Sequence, residues 1–334
     1  MGRGPSDRYF QVLNECYVDG TLTCLKPSVI EQRINTKFPL VLNIEPTNDC
    51  NAKCYYCARE MMIKEQGIHY LSIMDFRNII DQIGNNKLIM LNLHKNGEPL
   101  LNKNLPEMVT YAKEKNAADI IHLNTNGILL NSSVGKGIIK HGIDDITVSI
   151  DAAFEDTYVK FKGLSGLEKL ESNIIKAIEY RNKIRSLTKI RVKIMEFDEV
   201  SKEELNLFHK KWTDVADEVQ VTGIHNWSGA VGVKVTDEQV GKRYVCALLW
   251  YMLAINSNGK VGLCSVDWNY SGVVGDIHTQ TIHEIWNGIL LKKIRQAQLK
   301  GIWDYPKVCE KCVVWVSVGN MTEFFKRRRA FISK

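Results

Sequence analysis

Six apolar, β-prone segments alternate with helical stretches between residues 39 and 224, and this rhythm constrains the fold more than any other feature. The segments lie at 39–47, 87–96, 119–126, 144–151, 189–197 and 217–224. Helical apolar spacing occurs between them at 72–84, 105–115, 133–141, 166–184 and 201–212. Strand–helix repeats of this kind predict a parallel sheet with right-handed crossovers. Six units are too few for a closed eight-stranded barrel, so we expect an α/β fold with a partial (β/α)6 TIM-like barrel.

The rhythm changes near residue 240. The segment 248–268 is predicted to form a β-hairpin with Asn258 and Gly259 at its turn, because an Asn-Gly pair favours tight hairpin turns. An amphipathic helix at 281–299 and a Cys-x2-Cys pair at 309–312 follow. We therefore expect four parts: an N-terminal extension at 1–38, the barrel at 39–239, a small C-terminal β-hairpin/helix domain at 240–318, and a basic tail at 319–334.

Composition excludes several classes of protein. The chain has 334 residues, of which 45% are hydrophobic and 25% charged, as in ordinary globular proteins. It has neither a run of about 20 apolar residues, as a membrane helix needs, nor the apolar N-terminal run of a signal peptide. The net charge of +6 is spread along the chain. We therefore expect a cytoplasmic protein with neither membrane nor nucleic acid as a partner.

The chain contains nine cysteines, which a reducing cytoplasm would keep as thiols. Metal or iron–sulfur ligation is the better interpretation. An early group, Cys50, Cys54 and Cys57, follows the first predicted strand, where parallel α/β folds place their chemistry. Structural zinc normally takes four protein ligands, whereas three thiolates can hold three irons of a [4Fe–4S] cube. The fourth iron would then be open to a substrate or cofactor.

The spacing Cys-x3-Cys-x2-Cys after a first β-strand resembles the motif of the radical S-adenosylmethionine (SAM) superfamily. The segments "NGEPLL" at 96–101, "NTNG" at 124–127 and "SID" at 149–151 follow in the order seen in that superfamily. The resemblance implies that the open iron binds the methionine part of SAM. The reduced cluster then generates a 5′-deoxyadenosyl radical, which abstracts a hydrogen atom from substrate. It further implies SAM contacts from Tyr56, Gly97, Glu98, Pro99, Asn126 and Ser149.

A late group of cysteines, Cys246, Cys264, Cys309 and Cys312, resembles the auxiliary-cluster domains of the same superfamily, called SPASM and, in a shorter form, twitch. Four thiolates would complete the ligation of a second [4Fe–4S] cluster. Because no cysteine follows Cys312, the twitch form with one auxiliary cluster is favoured. A zinc ribbon is the alternative, since four cysteines also suit zinc.

The resemblance favours an oxidoreductase acting on a carbinol carbon of a sugar or aminocyclitol, free or nucleotide-linked. The 38 residues before the first strand are too few for a peptide-leader domain, which favours a small substrate. The remaining cysteines, Cys16 and Cys24, lie outside the barrel pattern, so no thiol is expected to return a hydrogen atom as in an epimerase. A radical SAM epimerase, a peptide-modifying enzyme and a non-enzymatic iron–sulfur or zinc scaffold remain alternatives. A reductase, flavodoxin or ferredoxin is the expected electron donor.

Candidate substrate-binding and proton-accepting residues lie on the fifth and sixth strands. Alternation along the fifth strand places Lys193 and Glu196 on opposite faces, so one of them is expected to point into the barrel. His225, just past the sixth strand, is expected at the barrel mouth. Arg59, after the cysteine motif, is expected either to face the cluster or to cap the loop.

Overall fold

A computed structural model describes residues 5–18, 22, 24–33, 37–223, 226–231, 243–318, 321–322 and 324. Nine strands form one sheet in the order β6-β5-β4-β3-β2-β1-β7-β8-β9. Their bounds are β1 Val41–Ile44, β2 Leu88–Asn92, β3 Ala118–Thr125, β4 Asp145–Ser149, β5 Lys189–Met195, β6 Glu218–Thr222, β7 Met252–Ile255, β8 Lys260–Gly262 and β9 Gly275–Asp276. All pairs from β1 to β6 are parallel, which confirms the predicted partial α/β barrel.

Two helices, α1 Pro5–Cys16 and α2 Pro27–Arg33, precede β1. The helices between the parallel strands are α3 Arg59–Gln66, α4 Ile73–Asp81, α5 Leu105–Glu114, α6 Ser133–Lys140, α7 Glu155–Lys162, α8 Leu167–Lys183 and α9 Lys202–Trp212. Of these, α4, α5, α6, α8 and α9 are predicted by the sequence. Ser72 caps α4 by accepting a hydrogen bond from the Asp75 backbone N–H. The short helices α3 and α7 were not anticipated, and both lie against the cysteine loop.

The predicted hairpin forms, but it extends the barrel sheet. Strand β7 pairs parallel with β1 and antiparallel with β8, and Gly259 occupies the turn with a φ of 82°. Residues 248–251 were expected in the first strand of the hairpin. Most of them instead belong to a 3-10 helix, Ala247–Trp250, packed with buried side chains.

The single helix expected at 281–299 is two helices, Ile282–Trp286 and Ile289–Leu299. Gly288 takes an extended conformation at the break, with φ of −69° and ψ of 159°. Its backbone N–H still bonds to the Ile285 carbonyl at 3.1 Å, so the break between the two helices is short. Within the described part of the chain, no helix is long and apolar enough to cross a membrane.

Candidate active site and auxiliary cysteine group

The cysteine loop follows β1 at the carboxyl edge of the parallel sheet. Backbone hydrogen bonds hold it there, from Lys53 N to the Lys162 carbonyl at 3.0 Å and from Tyr55 N to the Phe161 carbonyl at 3.2 Å. The end of α7 therefore supports the loop. Burial raises the pKa of the Cys50 thiol to about 11 and that of Cys57 to about 12. A raised pKa means that the thiolate form is unfavourable here unless a positive charge lies beside it. The irons of a cluster would supply that charge.

Arg59 caps this loop. Its guanidinium donates from Nε to the Asn48 carbonyl at 2.8 Å and from Nη2 to Asp49 Oδ1 at 2.9 Å. Asp49 Oδ1 in turn accepts the Cys50 backbone N–H at 2.8 Å. Of the two roles expected for Arg59, the structure shows loop capping.

Gly97 allows the segment after β2 to lie directly against the cysteine loop. A Cβ at this position would stand 2.3 Å from the Thr47 carbonyl oxygen and 2.5 Å from that of Asp49. The next residue, Glu98, donates its backbone N–H to the Asp49 carbonyl at 2.7 Å. Pro99 begins the short 3-10 helix that follows. A larger residue than glycine would therefore push this segment away from the loop.

The Glu98 carboxylate joins the ends of β2 and β3. It is 2% exposed and accepts from Leu100 N at 3.1 Å, Thr125 Oγ1 at 2.7 Å and Asn126 N at 2.7 Å. An ionised carboxylate offers about four lone-pair sites, so it keeps capacity for one more donor. Burial raises the pKa of Glu98, although these donors oppose the rise.

Asn126 connects the end of β3 with the cysteine loop. Its side-chain amide donates to Asn51 Oδ1 at 2.7 Å and lies 3.9 Å from Cys50 Sγ. Its Oδ1 accepts from Ile128 N at 3.0 Å. Thus Gly97, Glu98 and Asn126, chosen from sequence, all converge on the loop that carries the first cysteine.

Tyr56 is held by a buried ion pair that the sequence did not reveal. Its hydroxyl donates to Asp151 Oδ2 at 2.8 Å and accepts from Lys162 Nζ at 2.8 Å. The lysine also bonds to Asp151 Oδ2 at 2.5 Å, with side chains 3% and 0% exposed. Burial would raise the pKa of Asp151, but the nearby Lys162 ammonium brings it below its usual value. Asp151 lies in the "SID" segment, from which only Ser149 was predicted to act.

Of Lys193 and Glu196, Lys193 is the residue that faces the barrel interior, on the same face as Arg191. It pairs in register with Ser149 of β4 and Gln220 of β6. Burial lowers the pKa of Lys193, while the charge of Asp151 opposes this. Glu196 lies beyond the end of β5 and is exposed. His225 lies outside the described residues.

Further polar side chains line the same interior. His94 Nδ1 accepts from Asn124 N at 3.2 Å, and the His94 and His122 rings meet edge to face at 5.1 Å. Burial, with the charge of Lys193, lowers the pKa of His94 to about 3. His94 is therefore neutral near pH 7. In the sequence, His122 and Asn124 lie two residues apart on the predicted third strand, so their side chains are expected on the same face of the sheet. That pattern could have predicted this polar wall.

All four late cysteines line one cavity. Its other walls include Arg243, Gln298 and Trp315. Burial raises the pKa of Cys309 to about 12 and raises that of Cys312. Four partly buried thiols around one space fit the donor set of an iron–sulfur cluster.

The zinc alternative predicts sulfurs converging on a single ion, about 2.3 Å from each. Among the residues that the structure describes, no group of three or more His, Cys, Asp or Glu side chains is arranged to hold one metal ion. Metal analysis, described below, distinguishes zinc from iron at this group.

The carboxyl edge of the barrel contacts both the β7–β8 turn and the segment after Cys264. Glu45, at the end of β1, accepts from Ser257 Oγ at 2.8 Å and from the Tyr270 hydroxyl at 2.6 Å. Lys95 donates to the Asp267 carbonyl at 2.8 Å and lies 4.5 Å from the centre of the Tyr270 ring. These buried contacts connect the two cysteine-bearing regions. Lys95 immediately precedes "NGEPLL". Its partners are distant in sequence, so no local sequence pattern predicts these contacts.

Cys16 and Cys24 belong to the N-terminal segment. Cys16 ends α1, whose Arg8 and Tyr9 contact Asp119 and Asp145 near the amino ends of β3 and β4. The Cys24 carbonyl accepts from Val18 N at 3.0 Å, just after α1. Cys16 therefore lies at the edge of the sheet opposite the cysteine loop.

Comparison with known proteins agrees with this geometry. Residues 44–242 match the Radical SAM superfamily, and residues 246–313 match the SPASM iron–sulfur cluster-binding domain. A probable GTP 3′,8-cyclase of Methanococcus maripaludis is 33% identical over 155 residues, 46% of this chain and 48% of that protein. A PqqA peptide cyclase of Granulibacter bethesdensis is 29% identical over 131 residues, covering 39% of this chain and 34% of that protein. The chain thus spans about half or less of the length of these curated relatives.

Two solved structures share the fold at low sequence identity. BtrN in complex with AdoMet and 2-DOIA has a TM-score of 0.57 at 18% identity, covering 82% of this chain and 92% of BtrN. Streptococcus suis SuiB bound to its precursor peptide SuiA has a TM-score of 0.62 at 15% identity, covering 79% of this chain and 68% of SuiB. Because the superfamily match spans more than half of the chain and a SPASM domain follows it, the protein belongs to the radical SAM superfamily.

Proposed function

We propose that the protein is a radical SAM oxidoreductase that oxidises a carbinol carbon of a sugar or aminocyclitol, free or carried on a nucleotide, to a ketone. Superfamily membership implies a [4Fe–4S] cluster and SAM, and the SPASM domain implies further iron–sulfur ligation. When bound, these groups would supply the hydrogen-atom acceptor and the electron acceptor that the oxidation requires. The observation that carries the proposal is the polar interior wall of the barrel.

We assign the two cysteine groups and the segments around them to the binding of these groups. Cys50, Cys54 and Cys57 would ligate the catalytic cluster, and the four cysteines of the late cavity would ligate the auxiliary one. The Glu98 carboxylate can accept one more hydrogen bond, and the ammonium group of SAM is a suitable donor for it. We assign Tyr56, Gly97, Pro99, Asn126 and Ser149 to the walls of the SAM site.

The interior wall suits a substrate rich in hydroxyl groups. His94 and Asn124 pair with each other, with His94 Nε2 3.1 Å from Asn124 Nδ2, and burial keeps His94 neutral. This pair, with His122 and Lys193, makes the wall polar, and a polar wall favours a substrate with hydroxyl groups over one with apolar substituents. This matching supports a polyhydroxylated small molecule.

Lys193 is the residue we assign to proton removal. Once a hydrogen atom has left the carbinol carbon, its hydroxyl proton must also leave for a ketone to form. A base works best when its pKa lies near the operating pH, and burial moves the pKa of Lys193 in that direction. Glu196, which is exposed, takes no part in this proposal.

The auxiliary cysteine group supports oxidation over a redox-neutral reaction. A second cluster there could accept the electron that must leave the substrate radical when a ketone forms. The contacts of Glu45 and Lys95 with Tyr270 and Asp267 bring the auxiliary domain against the barrel edge. A flavodoxin, ferredoxin or reductase would deliver the electron that activates SAM.

The proposal is tested with anaerobically reconstituted protein, dithionite, SAM and a panel of substrates in deuterated water. The panel contains aminocyclitols, hexoses and nucleotide-linked hexoses, with GTP and a precursor peptide as representatives of the relatives' substrates. A product two mass units lighter than its substrate supports the dehydrogenase. An unchanged skeleton with one new carbon-bound deuterium would identify an epimerase, and turnover of GTP or peptide alone would replace the proposed substrate class.

Lys193→Met gives a sharper test within the same assay. We expect it to remove ketone formation while 5′-deoxyadenosine is still released. Lys189→Met is the matched control, because Lys189 begins the same strand and its ammonium is directed to Asp217 at 3.8 Å. Equal ketone formation by both variants would remove Lys193 from the mechanism.

A further inference from the structure

Gln298 lies on the helix Ile289–Leu299 and lines the cavity that contains the four late cysteines. Its side chain is buried, at 1% exposure. Its Oε1 accepts the backbone N–H of Cys246 at 3.4 Å. Because that N–H needs an acceptor, the orientation of the amide is fixed and its NH2 group points away from Cys246 N.

The NH2 group of Gln298 has no hydrogen-bond partner within the described ranges. The same holds for Nε of Arg243, a second buried donor of this cavity, whose Nη1 donates to the Glu310 carbonyl at 2.8 Å. A buried amide donor without an acceptor is destabilising. The acceptors that this cavity is built to hold are sulfurs, both of the cysteine thiolates and of the cluster that they ligate.

We propose that Gln298 donates an N–H···S hydrogen bond to the auxiliary cluster and thereby raises its reduction potential. Hydrogen bonds to the sulfurs, together with net charge and solvent exposure, set the potential of a protein-bound iron–sulfur cluster. A donor stabilises the more negative, reduced state more than the oxidised state. The inference depends on cluster binding by the four late cysteines and is independent of the substrate.

A purely structural role for Gln298, holding Cys246 in place, makes a different prediction. Gln298→Met is neutral and of similar length, and it removes the NH2 donor without adding a charge. If Gln298 acts only by holding Cys246 in place, this variant should either keep the parent potential or lose iron. If Gln298 donates to the cluster, the potential should fall at full iron content, and Gln298→Leu should also lower it.

The potential is measured in a full-length background in which Cys50, Cys54 and Cys57 are all replaced by alanine, so that only the auxiliary cluster contributes. Redox titration followed by electron paramagnetic resonance gives the midpoint. We expect each variant to shift the reduction equilibrium at least about tenfold toward the oxidised cluster, or about 59 mV for one electron. Gln296→Leu is the matched control, since Gln296 lies on the same helix and is only partly buried. An unchanged midpoint in Gln298→Met with full iron content overturns the proposal.

A second measurement requires no substitution at Gln298. The same background is labelled with ¹⁵N in glutamine side chains, and the reduced cluster is examined by pulsed electron–nuclear spectroscopy. A ¹⁵N coupling, accompanied by an exchangeable deuteron after transfer to deuterated water, is expected. The absence of any glutamine coupling overturns the proposal even if both variants fail to assemble a cluster. Absence of ketone formation by the parent enzyme, with the potential shift and the ¹⁵N coupling both observed, would count against the proposed oxidation and not against this hydrogen bond.

Discussion

Replacement of Lys162 by methionine tests how the cysteine loop is held. Lys162 and Asp151 form an ion pair of 2.5 Å with side chains 3% and 0% exposed, and Lys162 also donates to the Tyr56 hydroxyl. Methionine preserves most of the aliphatic volume but leaves the carboxylate buried without its counter-charge. Removing one partner of a buried pair costs about 3–5 kcal/mol of unfolding free energy. We expect Lys162→Met to lose that amount.

The matched control is Lys160→Met. Lys160 lies on the same helix, α7, but its side chain is 55% exposed and its ammonium is 3.6 Å from Glu199. Exposed pairs of this kind contribute about 0–1 kcal/mol, so the control should remain close to the parent. Urea titration of cluster-free protein, followed by far-ultraviolet circular dichroism, compares the three chains without a contribution from iron loss.

The double variant Lys162→Met/Asp151→Asn isolates the charge interaction. Asparagine tolerates the positive φ of 60° at this position and is neutral, so neither member of the Lys162–Asp151 pair is left charged. We expect the double variant to be more stable than Lys162→Met alone, which is the signature of direct coupling. If Lys162→Met and Lys160→Met were equally stable, the buried pair would not be what holds the loop.

Three further substitutions address the cluster sites. Cys54→Ala should abolish reductive cleavage of SAM because two thiolates are too few to hold the catalytic cube; substantial 5′-deoxyadenosine, measured by chromatography, would contradict that ligand assignment. Cys309→Ala should still release 5′-deoxyadenosine without substrate but should form much less ketone, whereas product at the parent rate would show that the auxiliary group has no role in turnover. Gly97→Ala should lower SAM cleavage at least tenfold, because the added Cβ would stand 2.3 Å from the Thr47 carbonyl and displace the segment from the loop; parent-level cleavage would show that the loop can yield.

The sequence predicts the features of this protein that are local or periodic. Strand–helix alternation predicts six parallel strands, and their carboxyl ends meet at one edge by the geometry of a parallel sheet. Glu98 and Asn126 could therefore be assigned to one site although 28 residues separate them. The hairpin turn at Gly259 was likewise predictable, because an Asn-Gly pair carries its own conformational preference.

The sequence does not reveal contacts that tertiary packing creates. Tyr56 and Lys162 are 106 residues apart, and no local pattern connects a tyrosine in the cysteine loop with a lysine at the end of a short helix. Alternation along β5 separates Lys193 from Glu196, but only strand register identifies Lys193 as the inward residue. Gln298 resembles any other polar residue of an amphipathic helix until its burial beside Cys246 is known.

Metal analysis of the reconstituted chain tests whether the two cysteine groups hold iron or zinc. About eight irons per chain are expected if both cysteine groups hold [4Fe–4S] clusters. Zinc at the late group, with iron only at the early one, would replace the auxiliary cluster by a zinc ribbon. Zinc without iron and without SAM cleavage would indicate a binding scaffold rather than an enzyme.

The proposed oxidation is tested most directly by the fate of the hydrogen on the carbinol carbon. The substrate found in the panel is prepared with deuterium at that carbon, and the 5′-deoxyadenosine formed in a single turnover is analysed by mass spectrometry. The account predicts 5′-deoxyadenosine one mass unit heavier, formed in proportion to ketone. Unlabelled 5′-deoxyadenosine accompanying labelled product would contradict hydrogen abstraction from the carbinol carbon.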